Sequence, residues 1–222
     1  MFDFLEGYDL LGAFWATVQL TVYSAIGSLI WGTLLAGMRV GPVPLMRAFG
    51  TAYVNFVRNI PLTVIILFSS LGLYQTLGVD LGGDGIVQVI SFRLSVLGLI
   101  VYTSAFVCEA LRSGINTVPV GQAEAARALG LNFGQVLRLI VLPQAFRAAV
   151  APLANVLIAL TKNTTVAAVI GVAEASLLMK EMIENEAQLV LIGAVFAFGF
   201  VCLTLPTGLL MGLLGKKVAV KR

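Results

Sequence analysis

Residues 124–143 read EAARALGLNFGQVLRLIVLP. The stretch holds one glutamate, two arginines, two glycines and a proline, and it separates two long apolar runs. A short polar turn would be enough to join two membrane helices. A connector of this length and pattern therefore indicates a structured element with a task of its own.

The composition of the whole chain identifies its solvent. Of the 222 residues, 59% are hydrophobic and only 11% are charged, whereas a soluble domain carries about 25% charged residues. Such a chain cannot cover itself with polar surface in water, so lipid is expected to surround it. The length suits one membrane domain spanning residues 1–222, without a second globular domain.

Two residue types limit the chemistry. There is no histidine, which excludes imidazole-based metal sites and catalytic triads that need a histidine base. The two cysteines, Cys108 and Cys202, lie in apolar runs without paired spacing, so neither a disulfide framework nor a zinc site is expected. The sequence predicts neither a catalytic residue nor a metal site.

Five stretches are long and apolar enough to cross a bilayer, which takes about 20 residues. Alternating ten-residue patterns are absent, so these stretches are predicted to be helices rather than barrel strands. The prediction is thus an all-α membrane protein of five spans. The predicted spans are residues 12–38, 54–77, 94–115, 148–173 and 188–214.

The basic residues predict the orientation. With five spans, ten lysines and arginines fall on one side of the membrane and two on the other, and nine acids accompany the two. Loops rich in Lys and Arg stay in the cytoplasm, which predicts an outside N-terminus, a cytoplasmic C-terminus and a cytoplasmic 124–143 segment. The ten bases are Arg39, Arg47, Arg112, Arg127, Arg138, Arg147, Lys216, Lys217, Lys221 and Arg222.

The first span carries small residues at four-residue spacing, a pattern that lets helix backbones approach closely. Packing within this chain and contact with another subunit are both compatible with it. The residues are Ser24, Ser28, Gly32 and Ala36.

The quoted segment is predicted to be a helix, a turn and a second short helix. Its first half is rich in Ala, a strong helix former, and Gly130 can take the left-handed conformation that ends a helix. Apolar residues recur at helical spacing after Phe133, and Pro143 is predicted to break the pattern before the next span. Such an element can dock on a cytosolic protein. The alternative is an amphipathic helix that rests on the bilayer.

This segment resembles the EAA signature of the membrane subunits of ABC importers. The signature has seven fixed places, and all of them match: Glu124, Ala125, Ala126, Gly130, Ile140, Leu142 and Pro143. The resemblance implies that the segment, taken as residues 114–146, is a coupling helix that docks on a separate ATP-hydrolysing subunit. It implies the transmembrane domain fold of type I ABC importers as well.

Further motifs resemble the branch of these importers that takes up polar amino acids. They are RNIPLT at residues 58–63 and KNTT at residues 162–165, where the branch usually has Lys-Asp-Thr-Ser. Together with YSAIG and GVAEASLLMK, they are similar to the glutamate-uptake permeases of actinobacteria. That resemblance implies a bacterial plasma-membrane protein that moves L-glutamate by ATP-driven alternating access.

The resemblance also implies the partners. They are an ATPase dimer, a second related permease chain or a second copy of this one, an extracytoplasmic amino-acid-binding protein and the surrounding lipid, with no nucleic acid. No GxxxxGK[ST] motif occurs, so ATP and its magnesium are expected on the ATPase chain, and no cofactor is expected here.

Polar residues inside the spans predict the substrate pathway. Lys162 lies about 22 Å along a helix from Arg147, and the polar side chains of Asn163, Thr164 and Thr165 follow it. Charged groups in a membrane mark functional sites by default, and Lys162 is expected to face a substrate carboxylate. The alternative is a polar network that packs helices.

Arg58 and Glu109 are the other charged candidates within the spans. Their alternative role is to reach toward the membrane surface or to pair with each other.

Three rival functions remain open at this stage. They are a homodimeric permease for another polar amino acid such as glutamine or arginine, an ion-coupled secondary transporter, and a non-transporting membrane scaffold. The seven-place signature disfavours the secondary transporter, and the polar residues within a span disfavour the scaffold.

Overall fold

The computed structural model describes the backbone of residues 7–218 and the side chains of residues 7–213. Within this range every regular element is helical. The described part does not include Asp3 and Glu6, two of the acids predicted on the extracytoplasmic side. It also does not include the basic side chains from Lys216 onward. The elements are α1 (Leu10–Val40), α2 (Pro44–Arg58), α3 (Leu62–Leu67, continued by a π-helix, Phe68–Thr76), α4 (Val87–Asn116), α5 (Val120–Ala128), α6 (Phe133–Val136, continued by a π turn, Leu137–Val141), α7 (Leu142–Asn163, continued by a 3₁₀ helix, Thr164–Ile170), α8 (Ala175–Glu186) and α9 (Leu189–Val218).

Four helical stretches in the described chain are long and apolar enough to cross a membrane. They are Leu10–Val40, Val87–Asn116, Phe133–Ile170 and Leu189–Leu213. A fifth span is obtained when the bent pair α2 and α3 is counted as one. The predicted all-α membrane architecture is confirmed, and four of the five predicted spans coincide with these helices or lie largely within them.

The second predicted span is not the straight helix expected for residues 54–77. The chain bends by 102° between Arg58 and Leu62. Pro61 lacks a backbone N–H and restricts Ile60 before it, which stops the helix here. The apolar run therefore divides into α2, which begins at Pro44, and α3.

The prediction that Pro143 ends the second short helix is wrong. Helix continues from Phe133 to Ile170 through Pro143. Pro143 stands in the first turn of α7, directly after the π turn at Leu137–Val141. A π turn locally re-registers the backbone hydrogen bonds, which is how the helix accommodates a residue without an N–H.

The core forms where α1 and α7 both pack along α4. The small-residue stripe of α1 is buried there; a Cβ added at Gly32 would lie 2.8 Å from the carbonyl oxygen of Ser104. Between α4 and α7, a Cβ at Gly114 would lie 2.4 Å from the carbonyl oxygen of Ala145. Glycine is thus required at both close approaches, and the α1 stripe packs within this chain.

Candidate functional site

A cavity with several polar lining residues lies between the membrane-spanning helices α4 and α7. Its volume is about 390 Å³, and α7 contributes Asn155, Ala159 and Asn163 at helical spacing. From α4 come Tyr102, Thr103 and Phe106. The structure thus places Asn163, one of the predicted pathway residues, at a cavity between two spans.

Thr103 is the unusual member of the lining. Its side chain is 2% exposed, and its hydroxyl has no hydrogen-bond partner within the described side chains and backbone. Leaving a buried hydroxyl unpaired is costly, but this oxygen, like those of Ser24 and Ser95, has almost no accessible surface, so a molecule in the cavity could reach it only after the surrounding helices move. Sequence reasoning did not select Thr103, since a lone threonine in an apolar helix carries no distinctive signal.

The other three residues of the KNTT motif are arranged differently. Lys162 is exposed on α7. Thr164 is buried and donates its hydroxyl hydrogen to the carbonyl oxygen of Thr161 at 2.8 Å, while Thr165 donates to that of Lys162 at 2.8 Å. Both threonines therefore stabilise the passage from α7 into the 3₁₀ helix, and neither lines the cavity.

Arg58 and Glu109 meet in a cluster of ionic groups close to the cavity. Arg58 Nη1 lies 3.6 Å from Glu109 Oε2, and Arg112 Nη2 lies 3.0 Å from the same oxygen. Arg39 donates to Glu109 Oε1 from α1. The Arg58 guanidinium also lies 5.6 Å from the ring centre of Phe106, which lines the cavity.

Three guanidinium groups surround one carboxylate, so the cluster has a net positive charge. The sequence marks Arg39 and Arg112 only as orientation signals. Arg39 is 70 positions from Glu109 and Arg112 is three, and neither spacing by itself shows that one carboxylate binds both arginines. Gly50 leaves room for the side chain of Arg39, since a Cβ at position 50 would lie 2.8 Å from Arg39 Cγ.

The EAA segment begins with the predicted helix and turn, whereas its second helix, predicted to be short, continues into the next span. Gly130 has φ +89°, and its N–H donates to the carbonyl oxygen of Arg127 at 3.0 Å, while Leu131 N–H donates to that of Ala126 at 3.2 Å. These two bonds form a Schellman motif. Gly130 thus ends α5 as the sequence predicts, and Ala126 is buried at the turn.

Two further side-chain contacts fix the shape of the segment. Asn132 and Gln135 form a capping box, each accepting from the other's backbone N–H at 3.0 and 2.9 Å. Gln144 Nε2 donates to Gln122 Oε1 at 2.7 Å, which ties the start of α5 to the first turn of α7. The segment is therefore a pre-formed element.

The remaining signature residues differ in exposure. Glu124 and Ala125 are exposed on α5, as are Leu142 and Pro143 at the start of α7, while Ile140 is half-buried in the π turn. The signature thus presents an exposed acid and a small residue on a helix held by the bonds above. An outward-facing surface of this kind is available for contact with another protein.

Glu174 is a buried carboxylate that sequence reasoning had counted among the acids of a loop. It is fully buried and accepts hydrogen bonds from the N–H groups of Ser176 and Leu177 at the start of α8, at 2.9 and 3.1 Å. Thr17 of α1 donates to it at 3.5 Å. Burial raises the pKa of Glu174 to about 7, against the lowering effect of these bonds.

Comparison with known proteins places this architecture in a family. Residues 28–220 match the family described as "Binding-protein-dependent transport system inner membrane component". The chain is 61% identical to the glutamate transport system permease protein GluC of Corynebacterium efficiens, over 97% of this chain and 96% of that protein. It is 59% identical, with the same coverage, to GluC of Corynebacterium glutamicum.

A solved structure shows the same fold. It is described as the crystal structure of an amino acid ABC transporter with histidines, and it superposes with a TM-score of 0.82 at 25% identity. The superposition covers 94% of this chain and 93% of the other. With 193 of the 222 residues matched by one family and this fold shared, the chain belongs to the binding-protein-dependent transport system inner membrane components, the multi-pass membrane subunits of ABC importers that work with an ATPase and a binding protein.

Proposed function

We propose that this chain is a permease subunit that passes L-glutamate across the bacterial plasma membrane by ATP-driven alternating access. Two permeases that are about 60% identical to it over nearly their full length carry the name of a glutamate transport system. The observation in this chain that supports an amino-acid pathway is the cavity between α4 and α7, which Asn155 and Asn163 line.

The cavity offers the groups that an amino acid needs. Asn155 and Asn163 supply amide donors and acceptors, and the unpaired Thr103 hydroxyl lies behind the lining, where it becomes a further partner once the helices move. Buried polar groups in native proteins are paired in more than about 90% of cases. A passing polar substrate would satisfy Thr103 during part of the transport cycle.

The charges near the cavity favour an anionic substrate. The cluster around Glu109 has more guanidinium groups than carboxylates, and Lys162 is exposed next to Asn163. Positive potential in a cleft with low-dielectric walls raises the local concentration of anions. We assign Lys162 to the substrate carboxylate, Asn163 to the cavity wall, and Arg58 with Glu109 to the electrostatic surroundings of the pathway. Thr164 and Thr165 shape the backbone beside it.

The coupling role belongs to residues 114–146 in this proposal. Glu124, Ala125 and Ala126 present the α5 surface to the ATPase, Gly130 sets the angle of the turn, and Ile140, Leu142 and Pro143 connect the turn to α7. Because α7 carries both Pro143 and Asn163, a displacement of the segment is transmitted to the cavity along one helix. In this role the segment transmits a movement and does not catalyse a reaction.

The complete transporter would contain two permease chains, an ATPase dimer and a binding protein outside the cell. The second permease is a related chain, with a second copy of this one as the alternative. The N-terminus lies outside and the EAA segment lies in the cytoplasm, which the distribution of Lys and Arg supports.

The test is uptake of labelled L-glutamate into proteoliposomes that contain the permease pair, the ATPase and the binding protein. Uptake is expected only with ATP, and replacement of Lys162 by Ala is expected to reduce it. A Lys180→Ala variant, which changes an exposed lysine of α8, serves as the matched control. Unchanged affinity and rate in Lys162→Ala would remove Lys162 from the pathway, and ATP-driven uptake of glutamine or arginine in place of glutamate would favour the homodimeric alternative.

A further inference from the structure

A second cavity shares no lining residue with the first. It is a groove of about 540 Å³ that is lined by α1, α4 and α7. Leu29, Gly37 and Val40 line it from α1, Ile115 from α4, and Leu142 and Phe146 from α7. Every one of these residues is apolar, and the substrate pathway does not use them.

The length of the groove matches one leaflet of a bilayer. Leu29 and Val40 are 11 residues apart in α1, which is about 16 Å at 1.5 Å per residue. The hydrocarbon core of a bilayer is about 30 Å thick. The groove therefore extends from the end of the span to about the middle of the membrane.

Among the described residues, Thr33 is the one polar side chain that lines the groove. Its hydroxyl already donates to the carbonyl oxygen of Leu29 at 2.6 Å, so its hydrogen does not need an acceptor in the groove. A volume of 540 Å³ spread over about 16 Å of length leaves a groove that is narrower than an α-helix with its side chains. The diameter of such a helix is about 10–12 Å. The shape thus favours a single hydrocarbon chain over a helix of a partner protein.

Two arginines lie next to lining residues in the chain. Arg138 follows the lining residue Leu137, and Arg147 follows the lining residue Phe146. Both are exposed, and in residues 7–213 neither has an ion pair or a side-chain hydrogen bond. Because a π turn stacks residues five apart, Arg138, Pro143 and Arg147 form a stripe beside the lining residues Leu137, Leu142 and Phe146.

We propose that this groove binds one acyl chain of an anionic phospholipid, with its headgroup phosphate held by Arg138 and Arg147. The apolar lining and the leaflet-matched length recognise the chain, and the guanidinium groups of Arg138 and Arg147, unpaired within residues 7–213, recognise the anion. A lipid bound there would contact α1, α4 and α7 together, next to the π turn that joins the EAA segment to α7.

The test uses the purified complex of permeases and ATPase in nanodiscs that hold equal amounts of phosphatidylglycerol and phosphatidylcholine. Native mass spectrometry then counts the lipids that remain bound. In Gly37→Phe, the new ring enters the groove from a position where an added Cβ has open space, and retained lipid is expected to fall at least fivefold. Gly193→Phe, at another open position in α9, is the matched control and is expected to retain lipid as the wild type does.

The charge arm of the test compares two double variants. Arg138→Gln with Arg147→Gln is expected to lower the retained ratio of phosphatidylglycerol to phosphatidylcholine by roughly 30-fold, because each basic residue near an anionic headgroup contributes a factor of about five. Arg47→Gln with Arg127→Gln removes the same charge from residues that do not adjoin the lining and is expected to change the ratio less than twofold. Equal lipid retention by the wild type and Gly37→Phe, or equal ratios in the two double variants, would overturn the proposal.

Discussion

Arg58 Nη1 lies 3.6 Å from Glu109 Oε2, and this ion pair joins the last residue of α2 to α4 just before the 102° bend. Arg39 of α1 donates to the other oxygen of the same carboxylate. One carboxylate thus connects three helices at the place where the chain changes direction. Glu109 holds the bend against the bundle as well as contributing to the charge near the cavity.

Replacing Glu109 by Gln is expected to destabilise the subunit by about 2 kcal/mol, because hydrogen bonds to charged groups are worth about 1.5–3 kcal/mol and three guanidinium groups would lose their counter-charge. The measurement is the melting temperature of the purified complex. Glu184→Gln is the control, since Lys180, at 3.7 Å, is the one ion-pair partner of Glu184 among the described side chains, and both groups are exposed. A Glu109→Gln complex as stable as the wild type would mean that the arginines do not depend on this carboxylate.

Replacing Gly130 by Ala tests the turn of the EAA segment. An added Cβ meets nothing within 4 Å, but φ is +89°, so the cost is backbone strain of about 1–2 kcal/mol. We expect a lower melting temperature and reduced ATP-driven uptake. Gly121→Ala is the matched control, because that glycine lies in the helical part of α5 with open space around it. Equal effects of the two substitutions would show that the left-handed turn is not needed.

Reversing the charge at Glu124 tests docking. Glu124 is exposed on α5, so Glu124→Arg is expected to leave the fold intact while reducing the ATPase that co-purifies with the permease by at least tenfold, since an unfavourable charge contact at an interface costs more than about 1.4 kcal/mol. Glu184→Arg changes an equally exposed acid on α8 and is expected to keep the ATPase. Normal co-purification together with normal uptake in Glu124→Arg would exclude this residue from the docking surface.

The sequence predicts most of the helices because span length and the cap at Gly130 are local properties. Contacts between residues far apart in the chain are not local properties. The ion pair between Arg39 and Glu109, for example, depends on how α1 packs along α4. Pro61 is a local signal for a break in the helix, but the continuous apolar run around it favours one straight span over residues 54–77. Thr103 was missed because only the fold shows that its hydroxyl is buried without a partner.

The pKa of Glu174, raised to about 7 by burial, predicts a pH dependence. Glu174 lies between the last two spans, outside both. The folded state binds the proton more tightly than the unfolded state, whose pKa is near 4.5, so this stabilisation is complete below pH 4.5 and is lost as pH rises through 7. We expect the complex to melt at a lower temperature at pH 8 than at pH 5.

Replacing Glu174 by Gln should weaken that dependence, because the amide oxygen still accepts from α8 without carrying a charge. Glu181→Gln, on the exposed side of the same helix, should keep the wild-type profile. A Glu174→Gln complex with the same change in melting temperature between pH 5 and pH 8 would assign the effect to another group.

Asn163→Asp tests the link between the cavity and an anionic substrate. The substitution keeps the size of the side chain and adds a negative charge to the wall of the cavity. Repulsion of a substrate carboxylate in a low-dielectric site is expected to lower the rate of L-glutamate uptake at least tenfold, which corresponds to about 1.4 kcal/mol. Asn163→Leu, which removes the amide without adding a charge, should lower the rate less. Asn185→Asp, at an exposed position whose amide bonds to Tyr8, should leave it unchanged. If Asn163→Asp and Asn163→Leu reduced uptake equally, the amide rather than the local charge would be what the substrate needs, and the electrostatic part of the proposed pathway would be wrong.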